Sequence, residues 1–241
     1  MMEGLLSLDT GPNSEVGNEE IVNAAAYNLY LAYLHGWGVK QSDEKALEFL
    51  MKAAGRGATK IAVLAQTTLG YYFSSPDHLD LAKAFYWHNE ACGYGGVESQ
   101  AVLGLMYMYG LHVKADWCAA LKCLKEAAER GSVYGKGVLS LLYFQRKMYS
   151  MAAQTACSLA MDADLKAKIM RKLHQIFPRR GVAIACFVYA CCLERGLGVQ
   201  KDQAIARAMH ARKLEGLLPL ERCETKAQFG GSMPREVYPF L

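Results

Sequence analysis

The chain has 241 residues, 52% of them hydrophobic, with a formal net charge of +4 and eight cysteines. That apolar fraction supports a continuous core and excludes a disordered chain, and the mild, dispersed positive charge does not mark a nucleic-acid-binding protein. No stretch approaches the roughly 18 consecutive apolar residues of a membrane span, so no direct membrane insertion is expected. The N-terminal MMEGLLSLDTGPNSEVGNEE lacks the basic region and apolar length of a signal peptide, so a cytoplasmic location is the expectation.

Residues 1–19 show no periodicity and read as a flexible leader. The first unit spans 20–57: a helix over 20–34, a Gly36-Trp37-Gly38 turn that supplies positive φ, a second helix capped by Ser42 or Asp43, and a stop at Gly57. The second spans 58–95, with helices over 62–73 and 78–92; Pro76 blocks continuation and Asp77 is the expected cap. The third spans 96–131, with helices over 98–109 and 116–130, capped by Asp116 and stopped by Gly131. A degenerate fourth unit, 132–176, pairs 133–145 with 147–160 and adds an extra helix over 162–176 that ends before Pro178. Lys166, Lys168, Arg171 and Lys172 give that extra helix a basic face, read as solvated surface. The fifth unit, 177–215, pairs 180–195 with 202–215, and 216–241 forms a C-terminal cap and tail. The tail ends Tyr238-Pro239-Phe240-Leu241, which has the shape of an endocytic sorting signal in a pattern too short to be specific.

The units are copies of one another. Leu29, Tyr33, Gly36, Val39, Ala46, Ala53, Ala54 and Gly57 recur 74 residues later as Leu103, Tyr107, Gly110, Val113, Ala120, Ala127, Ala128 and Gly131. That offset is two periods of about 37 residues, a helical-repeat spacing. The middle copy carries Leu69, Gly70 and Tyr72; the last carries Gly196, Gly198, Asp202 and Ala206. The predicted fold is therefore all-α, an α-solenoid of about five helix–turn–helix repeats. Gly70, Gly104, Ala53, Ala54, Ala127 and Ala128 are expected to let neighbouring helices approach. Tyr33, Tyr72, Tyr107 and Tyr143 recur at or next to one helix position and are expected to fill the space inside each pair.

The pattern Leu-Gly-x-x-Tyr-x-x-Gly-x-Gly-Val-x-x-Asp-x-x-Lys-Ala resembles the Sel-1-like repeat, a relative of the tetratricopeptide repeat, over residues 22–215. Three positions depart from it: Tyr30 replaces Gly, Ser42 replaces Asp, and Leu111-His112 replaces x-Gly. AAYNLYLAYLHGWGV, KAFYWHNEACG, ESQAVLGLMYMYG and CLKEAAERGSVYG resemble more closely the branch of that family that binds the cytoplasmic tail of the receptor megalin. The resemblance implies a protein partner of that kind.

No catalytic residue, metal or cofactor is expected. P-loop, dinucleotide, His-Glu-x-x-His and Gly-x-Ser-x-Gly patterns are absent, and the Gly-x-Gly turns follow no strand. His35, His78, His88, His112, His174 and His210 are isolated. His88 and Cys92 share a helix face but have no identifiable third member, so His88 is read as an ordinary helix-face residue. The cysteines occupy no common repeat offset and are expected to be free buried thiols. That irregularity weighs against a disulfide-stabilised Sel-1-like enzyme of β-lactam-hydrolase type, one alternative; a chaperone-like scaffold in protein degradation is another. What remains is an adaptor surface on the first helix of each pair. Positions off the packing stripe are its candidate residues: Leu31, Tyr71, Leu105, Met108 and Cys191.

Overall fold

In a computed structural model, the described residues are 16–55, 59–162, 164 and 176–216, and among them there are ten α-helices and no strand. The helices are α1 (Val16–His35), α2 (Asp43–Ala54), α3 (Lys60–Ser74), α4 (Leu81–Gly93) and α5 (Val97–Tyr109). They continue as α6 (Trp117–Glu129), α7 (Val133–Gln145), α8 (Tyr149–Ala160), α9 (Ile176–Arg195) and α10 (Gln203–Gly216). They form five successive pairs, an all-α solenoid. The chain divides into two compact units, residues 1–99 and 100–241.

The turns of the first, third and fifth pairs share one conformation. Gly36, Gly110 and Gly196 adopt φ of 71°, 70° and 67°, a left-handed region that glycine enters without steric cost. Two residues on, Gly38 and Gly198 adopt 71° and 70°, and His112 follows at 64°. The departure from glycine at His112 leaves the turn geometry intact. The chain then enters the second helix through a cap. Ser42, Asp80 and Asp116 accept backbone N–H bonds from Lys45 (3.4 Å), Lys83 (3.0 Å) and Ala119 (3.1 Å), and Asp202 accepts from Ile205 at 2.9 Å.

Several expected boundaries move. Asp77 is not a cap: Pro76–His78 form one turn of 3-10 helix, and Asp80, three residues later, caps α4 instead. Pro at the start of that turn loses no hydrogen bond, so the chain coils once more before the helix begins. Helix α9 starts at Ile176 and includes Pro178 in its first turn, where proline lacks only an N–H that has no helical acceptor. Helix α2 stops at Ala54, with the Gly55 N–H on the Lys52 carbonyl. Gly57, the leader up to residue 15, the extra helix apart from its ends, Cys223 and the tail beyond 216 lie outside the described residues.

In the first unit, Leu29 and Tyr33 of α1 close on Ala46 and Phe49 of α2, with the Tyr33 and Phe49 rings stacked at 5.4 Å. Tyr30, standing where later repeats have glycine, packs on the edge of this cluster. Helix α3 then lies against both α1 and α2, as each repeat of a solenoid lies on the one before. In the second unit the first helices of two repeats touch backbone to backbone. A methyl on Gly137 of α7 would stand 2.3 Å from the Gly181 carbonyl oxygen of α9, and one on Gly181 would stand 2.4 Å from the Val133 oxygen. Beside this crossing Tyr134 is completely buried and meets Phe177 edge-on.

Candidate partner-binding surface

The candidate surface begins with the faces the first helices leave open. In the first unit Leu31 and Tyr71 hold the same repeat position on α1 and α3, two helices that pack together, and both are half-buried. Tyr27 and Tyr30 add a ring pair at 5.4 Å on α1. Burial, followed by the neighbouring Tyr27, pushes the Tyr30 hydroxyl up to about 12, so it stays a neutral donor and acceptor. In the second unit Met108 and Cys191 are likewise half-buried. Tyr109, next to Met108, accepts a bond from Gln145 Nε2 at 2.8 Å. Burial raises its hydroxyl as well, outweighing that bond.

Leu105 does not belong to this surface. It holds the repeat position of Leu31 and Tyr71 but is 0% exposed. Helical periodicity gives the direction in which a side chain points, and the neighbouring element decides whether water reaches it. Here α7 approaches α5 closely, since the Cβ position of Gly135 lies 3.3 Å from the Ala101 methyl. At Leu105, the face expected to point outward on α5 is part of the core.

The small residues do what their positions imply. A methyl on Gly104 would stand 2.6 Å from Leu124 Cγ, so the glycine is a notch that seats the leucine of the opposite helix. The equivalent notch in the second repeat, Gly70, seats His88. A methyl there would stand 2.6 Å from Cε1 and Nε2 of the ring. His88 therefore occupies the slot held by Leu50 and Leu124 in the flanking repeats, and like them it is fully buried. The expectation of an ordinary helix-face histidine is corrected: the ring is core. The signal for it is one of alignment, a histidine where the repeats on either side have leucine.

Polar groups line up behind the ring. His88 Nδ1 lies 3.1 Å from Ser99 Oγ, Ser99 Oγ lies 2.9 Å from Thr67 Oγ1, and Thr67 Oγ1 donates to the Val63 carbonyl at 2.8 Å. With Thr67 donating to the carbonyl, the arrangement that satisfies every contact in the chain has Ser99 donating to Thr67 and the His88 Nδ1–H donating to Ser99. Nε2 then carries a bare lone pair against Gly70, with no hydrogen-bond partner. A histidine beside a serine suggests nucleophilic catalysis, but both residues are sealed (1% and 0% exposed) and the serine donates away from the ring.

The thiols are more varied than expected. Cys186 and Cys192 are buried, Cys92, Cys123, Cys157 and Cys191 are half-buried, and Cys118 is exposed. Burial, then the adjacent Cys191, raises the Cys192 thiol to about 11. Tyr189 is raised to about 12, chiefly by its hydrogen bond with Cys157. Among the described residues no three histidine, cysteine or carboxylate side chains come together as metal ligands, and no helix is long and apolar enough to cross a membrane.

Comparison with known proteins fits this geometry. The Sel1 repeat family model matches residues 24–57, 63–92, 97–132 and 183–212. The chain belongs to the Sel1 repeat family. The four matched stretches are the first, second, third and fifth helix pairs; α7 and α8 form a pair that the Sel1 model does not match, as the degeneracy of the fourth unit anticipates. Among solved structures, a Sel1 repeat protein from Oxalobacter formigenes is 29% identical over 48% of this chain and 86% of its own, with a TM-score of 0.44. The protein c5321, a protective antigen of uropathogenic Escherichia coli strains with an SLR fold, is 24% identical. It aligns over 82% of this chain and 46% of its own, with a TM-score of 0.50, and shares the fold. Sel1 repeats generally mediate protein–protein interaction.

Proposed function

We propose that this Sel1 repeat protein is a non-catalytic adaptor that holds a segment of another protein on the open faces of its first helices. The observation that carries this reading is the contrast between a helix position that recurs in every repeat and its uneven burial. Leu31, Tyr71 and Cys191 remain partly open where Leu105 is closed. A half-buried tyrosine such as Tyr71 is of the residue type enriched at interface anchors, and the partly open Leu31 beside it adds apolar contact area.

The partner we propose is the cytoplasmic tail of megalin, with a cytoplasmic location for the chain. Support comes from AAYNLYLAYLHGWGV, KAFYWHNEACG, ESQAVLGLMYMYG and CLKEAAERGSVYG, which resemble the megalin-binding protein, the low-density-lipoprotein receptor-related protein 2-binding protein. KAFYWHNEACG carries the most weight, because it contains the unusual core histidine, His88, and is not generic repeat sequence. A pulldown of the purified chain on immobilised megalin tail tests the partner. Retention that free tail peptide competes away is the expected result; no retention above a scrambled tail removes megalin as the partner.

A further inference from the structure

We propose that His88 makes the second repeat an acid-sensitive joint, in which a proton added to the buried ring loosens α3 and α4 from each other and from the first turn of α5. In the arrangement that satisfies Val63 O, Thr67 and Ser99 together, Nδ1 already carries a proton. A second proton can enter only at Nε2, which faces the Gly70 notch and has no acceptor. The charged ring would then be sealed in a slot built for a leucine, with no charged neighbour to offset its burial.

The elements packed round the ring offer no rescue. Their ionisable side chains are Lys60, Tyr71 and Tyr72 on α3, Lys83, Tyr86, Glu90 and Cys92 on α4, and Glu98 in the first turn of α5. Desolvation is what moves the ring, and it holds the His88 pKa down to about 3. The unfolded chain binds the same proton near pH 6.5. A base whose folded pKa is depressed contributes stability above its unfolded pKa, and that stability is lost as pH falls from about 6.5 toward 3. Leu50 and Leu124 fill the slot in the flanking repeats without any such dependence.

Amide hydrogen exchange on the whole chain at pH 7.5 and 5.0, corrected for intrinsic rates, tests this in wild type and His88→Leu. The wild-type opening constant of α3 and α4 should rise about 30-fold between the two conditions, while His88→Leu changes little. An equal rise in both proteins, or none in wild type, overturns the proposal. Should the variant fail to fold, histidine side-chain NMR on wild type decides. The expected result is a neutral His88 with its proton on Nδ1 in the native state at pH 5.0. A native ring that titrates near pH 6.5 without added exchange overturns it.

Discussion

The imidazole of His88 rests directly on Gly70, so close that a single methyl on the glycine would lie 2.6 Å from the ring. Gly70→Ala should therefore force ring and helix apart and cost about 1–3 kcal/mol, the usual range for overpacking a core. Gly93→Ala, at the end of the facing helix with open space around its Cβ, serves as control. It should be neutral or slightly stabilising. Urea denaturation of both variants checks the pair.

The crossing of α7 and α9 is tighter still, because the obstacles are backbone atoms that cannot rotate away. Gly137→Ala and Gly181→Ala each place a methyl within 2.4 Å of a carbonyl oxygen. Each should cost more than Gly70→Ala, at or above the upper end of the roughly 1–3 kcal/mol range. Thermal melts of the three variants side by side would show the order.

The turns give a prediction of opposite sign. His112 holds a left-handed φ of 64° at the position where Gly38 and Gly198 stand in other repeats. His112→Gly should stabilise the chain by up to about 1 kcal/mol by removing the side-chain penalty of that region. Gly198→Ala should destabilise it by more, since the φ of 70° is combined with the Tyr149–Ser150 backbone 2.5 Å from the added methyl. Denaturation midpoints read both directions.

Thiol accessibility follows burial. Cys118, exposed on α6, should react with a maleimide in the native protein, while Cys186 and Cys192 should react only on unfolding. The raised Cys192 thiol, about 11, slows it further by keeping it protonated. Peptide mapping of the labelled protein checks the order of modification.

These contrasts mark where the fold could be read from the sequence and where it could not. Gly36, Gly110 and Gly196 were legible because a left-handed turn selects glycine so strongly that the spacing alone reveals the repeat. Asp116 was legible because a cap acts on the backbone next to it. Asp77 and Asp80 both follow Pro76, and only the extra 3-10 turn singles out Asp80 as the cap. Pro178 looked like a helix boundary, yet the first turn of a helix tolerates it. Periodicity gives only the direction of Leu105, and the close approach of α7 to α5 that accompanies its burial is a tertiary fact. His88 was underestimated for a related reason: its burial depends on a glycine 18 residues earlier, and its proton on a serine and a threonine in two other helices.

In the adaptor proposed above, the first-helix faces carry the binding and the second-helix faces do not. Fluorescence anisotropy with labelled megalin tail tests it most directly, comparing wild type with Leu31→Ala and Tyr71→Ala on first helices and Tyr86→Ala on the exposed face of α4. Saturable binding is expected, weakened about tenfold or more by the first two substitutions, the loss that follows removal of an interface anchor, and unchanged by the third. Binding that Tyr86→Ala abolishes, and that Leu31→Ala and Tyr71→Ala leave intact, would contradict it.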